Sequence, residues 1–426
     1  MRYWISFDKG RMMRDEIKFF ILYILKYNFF FKWELKKLEK LHSLSKNEID
    51  ILKFKKIKKL LKKSLKSKFY RDLYKTHNID INGIQTIEEF DKLPIVTREM
   101  IQGREEELLT KTPLLLFKGS TSGTTGSALT VYYDYRSVVI KNAYIWMYRN
   151  SCGLKLRDPI VSLRGELSKN EISKYDRYTN TLHLSTFNIN SKNIYKYHRL
   201  IKEFKPKAIS AYPSSLSSLV NILKEHNLRL NVELSLTSSE TILPEQIKTI
   251  EEFLNTKVLD WYGNAERTIA LQNSSGHYQE LLLYSHCNYL KDSIITTNLN
   301  NLSSLLIRYR VDDSVEIEDN KIVSILGRSD DFIILKDDSK VVGTIGGIIF
   351  KGVNGVKCGQ IVQNRKNNID VNLVISNFTS ADRELLIENI YKILGDSIEF
   401  AIRYIKEDEI IYTSSGKFKV VINNLL

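Results

Sequence analysis

The chain has 426 residues, of which 43% are hydrophobic and 11% aromatic, so it is long enough for more than one domain and too apolar to be intrinsically disordered. Its formal net charge of +14 at pH 7 favours anionic partners, such as nucleotides, nucleic acid, acidic sugars or a lipid surface, without choosing among them. Only three cysteines occur, and none forms a Cys-x-x-Cys pair, which argues against a disulfide framework or a cysteine zinc site and predicts a cytoplasmic location.

An apolar run near the start of the chain covers residues 19–31, FFILYILKYNFFF. Lys26 and Asn28 interrupt it, and it is shorter than the roughly 20 residues that span a bilayer. No small-residue cleavage site follows, so a signal peptide is not predicted. Two interpretations stay open: a helix docked on the protein itself, or a helix in contact with a membrane surface, where aromatic and lysine side chains are favourable.

A basic helix is predicted over residues 52–70, because its apolar residues recur at steps of three and four and leave the lysines elsewhere. The apolar stripe consists of Phe54, Ile57, Leu60, Leu61, Leu65 and Phe69. We interpret the lysines as a solvated face of a surface helix. A nucleic-acid partner is not expected, because no stacking aromatics and no known reading motif accompany them.

Strand-like and helix-like runs alternate between Thr86 and Gly263, which predicts an α/β fold with at least partly parallel sheets. Three short strand-like segments at 304–310, 314–319 and 321–327 then predict an antiparallel meander. Strand-like segments after Arg328, starting with IIFKGV, together with a helical segment at 380–394, predict a small α+β unit. The expected domains are residues 1–327, with a basic helical part at 1–80, and residues 331–426.

The stretch from Lys118 to Asp134, KGSTSGTTGSALTVYYD, combines glycines with many hydroxyl side chains. It lacks the Gly-Lys-Ser/Thr ending of a Walker loop. Glycine-rich backbone can still present N–H groups to phosphate oxygens, and hydroxyl groups add donors. A phosphate-binding loop and an ordinary solvated loop both remain open for this stretch alone. Its central residues are Ser120, Thr121, Ser122, Gly123, Thr124, Thr125 and Gly126.

The order of further motifs resembles the adenylate-forming superfamily, in its branch of phenylacetate–coenzyme A ligases and CapK-type capsule-biosynthesis proteins. The resemblance extends from about Phe69 to Val421. Each motif alone is weak, and the ordered set is specific. The segments are FYRDLY (69–74), LPIVTREMI (93–101), STSGTTG (120–126), FKPKAISAYPSSL (204–216), TSSE (237–240), WYGNAER (261–267), RYRVDDSVEI (308–317), GRSDDFI (327–333), GQIVQ (359–363) and SSGKFKVV (414–421).

The resemblance implies a nucleotide site built from several of these motifs. It implies that the 120–126 loop holds the β- and γ-phosphates of ATP and that Ser239 and Glu240 form a wall beside the adenine. Tyr262 would stack on the base, and Glu266 would help to hold Mg²⁺, which prefers hard oxygen ligands. Asp313 would accept hydrogen bonds from the ribose hydroxyls.

The resemblance also assigns roles near the end of the chain. Arg328 would contact the ribose or the α-phosphate, and Asp330 would be the hinge about which a small mobile domain rotates. Lys417 would neutralise the charge that grows on the α-phosphate during attack, so Lys417, Glu266 and Arg328 are the expected catalytic residues.

The acyl pocket is expected near Tyr212, Ser185 and Asn264. Two positions depart from the family pattern: Asp312 stands where a glycine usually precedes the ribose aspartate, and Ala265 stands where Thr or Ser usually precedes the magnesium glutamate. A phosphate contact from a hydroxyl group is therefore missing at Ala265.

The implied fold is α/β, with a large N-terminal adenylate-forming domain of mixed sheets and a small mobile α+β C-terminal domain. The implied reaction activates a small carboxylic acid with ATP and Mg²⁺ as acyl-AMP and transfers it to an amine or hydroxyl acceptor, which would be a sugar or polysaccharide precursor in capsular or O-antigen biosynthesis. Formation of a thioester with coenzyme A is the alternative. A nucleic-acid-binding protein and a degenerate, nucleotide-binding scaffold are hypotheses of other classes.

Overall fold

The computed structural model describes residues 9–121, 129–167, 170–240, 242, 244–273, 276–290, 293–328, 332–342, 345–350, 352–406, 409–412 and 418–425. The helices are α1 (Lys9–Lys26), α2 (Phe29–Glu39), α3 (Lys46–Ser64), α4 (Lys68–Thr76), α5 (Ile87–Phe90), α6 (Arg98–Ile101), α7 (Tyr135–Ser151), α8 (Ile194–Phe204), α9 (Pro213–Glu225), α10 (Pro244–Leu254), α11 (Ile345–Ile349) and α12 (Ser380–Leu394). Short 3₁₀ turns cover Lys40–Ser43, Glu105–Leu108 and Pro113–Leu115.

The strands fall into several sheets along the chain. They are β1 (Phe117–Ser120), β2 (Thr130–Tyr133), β3 (Ile160–Leu163), β4 (Ser173–Asp176), β5 (Thr181–Leu184), β6 (Ala208–Ala211), β7 (Leu234–Ser238), β8 (Lys257–Gly263), β9 (Ala270–Asn273), β10 (Tyr278–Glu280), β11 (Ser285–Tyr289), β12 (Ile294–Asn298), β13 (Tyr309–Val311), β14 (Asp313–Glu318), β15 (Lys321–Arg328), β16 (Phe332–Ile334), β17 (Lys340–Val342), β18 (Val356–Arg365), β19 (Asn368–Ile375), β20 (Glu399–Tyr404) and β21 (Val421–Asn423).

Within the described residues, the largest sheet has ten strands in the order β14-β15-β10-β9-β8-β7-β6-β3-β5-β4. Its centre is parallel, because β3 pairs with β5 and β6, β6 with β7, and β7 with β8 in the same direction. The strands toward both edges are antiparallel. The predicted mixed α/β fold is therefore confirmed.

Helices cover both faces of the parallel centre. Val161 and Leu163 of β3 pack with α8, α9 and α10 in one buried cluster. Ile160, on the opposite face of the same strand, packs with α2 and α7 in another. Every residue of β3, β6 and β7 is buried, as expected for parallel strands that are covered on both faces.

The C-terminal part forms its own small core. Strands β20-β19-β18-β21 make a mixed four-stranded sheet in the described chain, and α11 and α12 supply Ile345, Leu386 and Ile390 to its buried cluster. This arrangement confirms the predicted small α+β unit. The segment that starts at Ile348 is an exception, because helix α11 occupies its beginning where the pattern predicts a strand.

Two other expectations need correction. The single helix expected over 52–70 is broken: α3 ends at Ser64, and Ser67 starts α4 by accepting a hydrogen bond from the Tyr70 N–H at 3.4 Å. The Ser67 hydroxyl also donates to the Glu107 carbonyl at 2.7 Å, a tertiary contact that no local pattern reveals. The predicted antiparallel meander is confirmed for β14 and β15. Strand β13, which overlaps the first predicted segment, pairs instead with β12 in another sheet.

The first helix is attached to the protein along one face. Phe19 of α1 stacks on His183 with ring centroids 6.0 Å apart, and Tyr27 makes an edge contact with Trp146. The opposite face of α1 is exposed and apolar, with Ile17, Ile21, Ile24 and Leu25 each at least 38% accessible. Among the described residues, α1 and the other helices are too short or too polar to cross a membrane.

Candidate active site

The carboxyl ends of four neighbouring strands meet at one edge of the large sheet. Arg164 follows β3, Tyr212 follows β6, Ser239 follows β7 and Asn264 follows β8. The strand registers keep these ends level, since Leu163 lies opposite Ala211, Ala211 opposite Thr237, and Ser238 opposite Trp261. The carboxyl edge of parallel strands is where open α/β sheets bind ligands. The sequence motifs at 204–216, 237–240 and 261–267 are thus brought together here.

The predicted phosphate loop lies between the two strands of a hairpin. Strands β1 and β2 pair antiparallel, with Ser120 opposite Thr130. The Thr121 hydroxyl is buried and accepts hydrogen bonds from the Leu129 N–H at 3.0 Å and from the Arg98 guanidinium at 3.3 Å. Thr121 therefore closes the base of the loop. Ser122, Gly123, Thr124, Thr125 and Gly126 lie outside the described residues.

The predicted ribose aspartate lies beside the predicted adenine tyrosine. Asp313 is 8% accessible, and its carboxylate accepts a hydrogen bond from the Tyr262 hydroxyl. Arg328 lies directly opposite Asp313 on the paired strand β15. Three residues from three distant motifs therefore converge at one place.

Glu266, the predicted magnesium ligand, is buried three residues after the end of strand β8. Glu266 is 8% accessible and accepts a hydrogen bond from the Tyr309 hydroxyl at 3.4 Å. Burial and the Glu266 carboxylate both raise the pKa of Tyr309, so this tyrosine stays a hydrogen-bond donor. Carboxylate oxygens are hard ligands of the kind that Mg²⁺ prefers.

Among the described residues, no group of three or more His, Cys, Asp or Glu side chains forms a metal site. Mg²⁺ is commonly held by one or two carboxylates together with substrate phosphates, rather than by a cage of protein ligands. A single buried carboxylate, Glu266, fits that mode of binding.

Glu240 connects the large sheet to the end of the chain. Its carboxylate accepts hydrogen bonds from the Ser214 N–H at 3.0 Å and the Ser214 hydroxyl at 3.1 Å, in the first turn of α9. A carboxylate at a helix N-terminus is stabilised by the helix dipole. The same carboxylate accepts the Phe418 N–H at 3.0 Å. Lys417, which precedes Phe418, lies outside the described residues, as does Asp330.

The three predicted pocket residues lie in different surroundings. Asn264 exchanges two hydrogen bonds with Thr268, at 2.8 and 2.9 Å, and lines a cavity. Tyr212 is the N-cap residue of α9, and the Arg164 guanidinium lies 5.7 Å from its ring centroid. Ser185 is fully buried, and its hydroxyl accepts the Asn188 side-chain amide at 3.1 Å.

A cavity of about 170 Å³ opens at the carboxyl edge of the sheet, and we call it the basic cavity. Ser239 and Asn264 belong to its wall, as do the aromatic residues Tyr148, Trp261 and Tyr284. Its charged lining residues among the described residues are cations only: Lys141, Arg149 and Arg164.

The cations of the basic cavity are poorly compensated. Burial, followed by the charges of Arg267 and Arg164, lowers the pKa of Lys141 to about 7. Burial likewise lowers the pKa of Arg149 to about 10 and shifts the pKa of Arg267 downward. Such shifts mean that the positive charges are held at a cost in free energy.

The two departures from the family pattern have local partners. Asp312 accepts a hydrogen bond from Arg310 Nε at 3.0 Å, so a neighbouring cation offsets its charge. The Ala265 carbonyl accepts the Tyr133 hydroxyl, and the Arg267 guanidinium lies 3.6 Å from the Tyr133 ring centroid. Tyr133 therefore holds the segment after β8 by a hydrogen bond to the backbone at Ala265, where the family usually has a hydroxyl side chain.

Sequence reasoning did not single out Lys141, Arg149, Arg164 or Arg267. In a chain with 64 basic residues, four cations carry no signal by number alone. One local signal exists: Lys141 and Arg149 lie eight residues apart on one face of α7, between side chains that are mainly buried and apolar.

Comparisons with known proteins agree with this arrangement. The family model described as the CapK C-terminal domain matches residues 333–424. Protein CapK from Staphylococcus aureus is 26% identical over 425 residues, which cover 92% of this chain and 92% of the relative.

Solved structures share the fold. The structure of 2-hydroxyisobutyryl-CoA ligase in the postadenylation state, in complex with R3-HIB-AMP, gives a TM-score of 0.68 at 14% identity and covers 90% of this chain and 91% of that one. The same ligase in the thioesterification state, with 2-HIB-AMP and CoA, gives 0.54 at 14% identity, with 89% and 90% covered. Anthranilate CoA ligase AuaEII with anthranoyl-AMP gives 0.50 at 11% identity, with 71% and 64% covered.

The resemblance predicted from the ordered motifs is therefore confirmed. The chain is similar to CapK over most of its length, residues 333–424 match the model of the CapK C-terminal domain, and the fold is shared with the solved structures of 2-hydroxyisobutyryl-CoA ligase.

Proposed function

We propose that the protein is an ATP-dependent, AMP-forming ligase that activates a carboxylic acid as acyl-AMP with release of pyrophosphate. The observation that supports this proposal is the convergence of Tyr262, Asp313 and Arg328 at the sheet edge. Glu240, at the same edge, accepts the backbone N–H next to Lys417. These residues come from separate motifs, and a nucleotide site is a physical reason for them to meet.

The reaction has two half-reactions. A carboxylate oxygen first forms a bond to the α-phosphorus of ATP while the bond from that phosphorus to the β-phosphate oxygen breaks, and pyrophosphate leaves. An acceptor then attacks the acyl carbon, and AMP leaves. The protein binds and orients both reactants, which lowers the entropic part of the barrier.

Each predicted residue has a role in this proposal. The 120–126 loop binds the β- and γ-phosphates, and Asp313 accepts the ribose hydroxyls. Arg328 and Lys417 offset negative charge at the α-phosphate, and Asp330 is the hinge of a mobile C-terminal domain with bounds 331–426. Glu266 holds Mg²⁺, which supplies charge neutralisation at the phosphates.

The acceptor is proposed to be an amine or hydroxyl group of a sugar or polysaccharide precursor, in capsular or O-antigen biosynthesis. The similarity to CapK supports this assignment. Coenzyme A is the alternative acceptor, because solved neighbours are CoA ligases and two of these structures contain CoA.

Pyrophosphate release tests the proposal directly. The full chain, with ATP and Mg²⁺, is screened against sugar acids, amino acids and aryl acids, with and without coenzyme A. We expect acid-dependent release, followed by transfer to a sugar amine or hydroxyl. Efficient thioester formation without any transfer to a sugar would favour the CoA ligase, and strong DNA binding without ATP turnover would overturn the ligase proposal.

Replacing Asp313 by Ala should weaken ATP binding by about ten- to a hundredfold, because two ribose hydroxyls lose a charged acceptor worth roughly 1.5–3 kcal/mol. Isothermal titration calorimetry with ATP measures this change. Tyr262→Phe is the matched control. It removes the hydroxyl group that donates a hydrogen bond to Asp313 but keeps the ring that is predicted to stack on the adenine. Equal ATP affinity for Asp313→Ala and the parent would remove Asp313 from the site.

We also propose that the protein is cytoplasmic and binds the inner face of the membrane through α1 and the start of α2. The exposed stripe of α1 is apolar, and Phe29 and Trp33 of α2 are 83% and 49% accessible. Lys18 and Lys32 are exposed beside them. Apolar and aromatic side chains flanked by lysines suit an anionic lipid surface.

Sedimentation with vesicles tests this placement. We expect binding to vesicles of phosphatidylglycerol and phosphatidylcholine, and weaker binding to phosphatidylcholine alone. The double change Ile21→Asp and Ile24→Asp should abolish sedimentation, because it places two charges on the apolar stripe. Ile317→Asp, at an equally exposed isoleucine of β14, is the control. Unchanged sedimentation of the double variant would show that α1 is not the contact.

A further inference from the structure

The basic cavity contains more positive charge than the protein itself neutralises. Lys141 and Arg149 reach it from α7, and Arg164 reaches it from the end of β3. Within the described part of the chain, no ion pair joins Lys141, Arg149, Arg164 or Arg267 to a carboxylate. Like charges gathered in a partly desolvated site destabilise the folded state unless an anion joins them.

Two guanidinium groups have donors with no acceptor. Arg164 donates one N–H to the Ser238 hydroxyl, but its Nε is buried without a partner. Arg267 stacks on Tyr133, and its Nη1 is also buried without a partner. A buried donor that lacks an acceptor costs free energy, and such groups in native proteins call for an explanation. An anionic ligand in the basic cavity would supply an acceptor to Arg164, which lines it, whereas Arg267 does not belong to the lining.

The nearby carboxylates Glu166 and Asp260 offset part of the Arg164 charge, but each is also held by other hydrogen-bond donors. Burial acts to raise the pKa of Glu166, but hydrogen bonds from His183 and Ser162 outweigh it and hold that pKa below its usual value. Asp260 accepts hydrogen bonds from Thr237 and from Tyr278, each at 2.6 Å. Burial raises the pKa of Asp260 to about 6, so its charge is itself unfavourable.

We propose that the basic cavity is the acid-binding pocket and that it selects a carboxylic acid carrying a second negative charge, which Lys141, Arg149 and Arg164 bind. The inference rests on the proposed function and specifies its substrate class. The cavity shares Ser239 and Asn264 with the predicted nucleotide and acyl sites, so an acid bound there lies beside the activation site. A volume of about 170 Å³ suits a compact acid, since a cavity of about 150 Å³ holds one benzene ring.

The second charge can come from a carboxylate or from a phosphate ester. Both supply oxygen acceptors to guanidinium and ammonium donors. The aromatic wall of Tyr148, Trp261 and Tyr284 suits the carbon skeleton between the two charged ends. A neutral or apolar acid would leave the cations uncompensated, and this penalty would provide selection against it.

Matched acid pairs that differ by one anionic group test the inference. The probes are succinate against succinamate, glucarate against gluconate, and 3-phosphoglycerate against glycerate. Exchange of labelled pyrophosphate into ATP reports activation, and calorimetry reports binding of each acid to the full chain. We expect at least one pair to show about a tenfold or larger preference for the dianion, the factor given by one charge-assisted hydrogen bond.

Variants identify the residues responsible. Lys141→Met and Arg164→Met should reduce the preference about tenfold or more, and Arg164→Lys should restore part of it. ATP affinity should be unchanged in each variant. Lys202→Met, at an exposed lysine of α8, is the control.

The outcomes separate this inference from the proposed function. Activation of acids with no preference for the dianion would overturn the inference and leave the ligase proposal standing. Absence of exchange with every acid, combined with selective binding of dianions, would overturn the ligase proposal and support the pocket. Loss of ATP affinity in Lys141→Met or Arg164→Met would show that the cavity binds the nucleotide phosphates, which overturns its assignment to the acid.

Discussion

Replacing Lys417 by Ala is expected to reduce acyl-adenylate formation by about a hundred- to a thousandfold, while ATP binding changes little. The reason is that negative charge grows on the α-phosphate only as the carboxylate attacks, so a cation there stabilises the transition state more than the bound substrate. Initial rates of pyrophosphate exchange and calorimetry with ATP measure the two quantities separately. The hydrogen bond from the Phe418 N–H to Glu240 brings the residue that follows Lys417 to the candidate site.

Lys392→Ala provides a matched control, because Lys392 is an exposed lysine on α12 in the same part of the chain. Its exchange rate should equal that of the parent. Exchange by Lys417→Ala at the parental rate would show that the lysine is not catalytic. An equal loss of ATP affinity and of rate would instead indicate that Lys417 binds the ground state.

Local patterns were sufficient to predict much of the fold. The strands at 160–163, 208–211 and 234–238 are short segments in which Ile, Val, Leu or Ala residues accompany small hydroxyl residues. Helices α8, α9 and α12 have clear helical periodicity, so the alternation of strands and helices was predictable. The break between α3 and α4 was not predictable, since it depends on the contact of Ser67 with Glu107, 40 residues away. Tertiary contacts of this kind override local periodicity.

The candidate site was likewise predictable only in part from the sequence. Motif order placed Asp313, Arg328 and Tyr262 in one site, and the structure brings the three together, although their roles as ligands remain predictions. The basic cavity could not be predicted, because its cations come from α7 and from the end of β3. Lysine and arginine are common on surfaces, so only the meeting of Lys141, Arg149 and Arg164 in one half-buried cavity distinguishes them.

Replacing Lys141 by Met is expected to stabilise the protein while it impairs selection of the acid. The lysine charge is surrounded by the cations Arg267, Arg164 and Lys26, and burial is the largest cause that lowers its pKa to about 7. Among the described residues, its other close neighbours in the cavity include Tyr148 and Tyr284, which carry no negative charge at neutral pH. Removing this half-buried charge, whose neighbouring charges are cations, is therefore expected to raise the free energy of unfolding.

The pH dependence follows from linkage. The pKa of Lys141 is about 7 in the folded protein, against 10.5 for an ordinary lysine, so the unfolded chain holds more protons between these values. Below about pH 7 the Lys141 charge lowers the free energy of unfolding of the parent by its full amount. As pH rises from about 7 toward 10.5, this destabilisation decreases and the free energy of unfolding rises. The advantage of Lys141→Met should be largest near pH 6.5 and should shrink by pH 9.

Thermal unfolding at these two pH values measures the effect. The shift per kcal/mol should be smaller than the roughly 2–4 °C expected for domains of 150–250 residues, because this chain is larger. Lys202→Met, at an exposed position, should leave the midpoint unchanged at both pH values. A lower midpoint for Lys141→Met at pH 6.5, or a gain that is the same at both pH values, would contradict the assignment. A lysine that destabilises the free protein and is repaid when a dianionic acid binds is the trade-off expected of a residue kept for function.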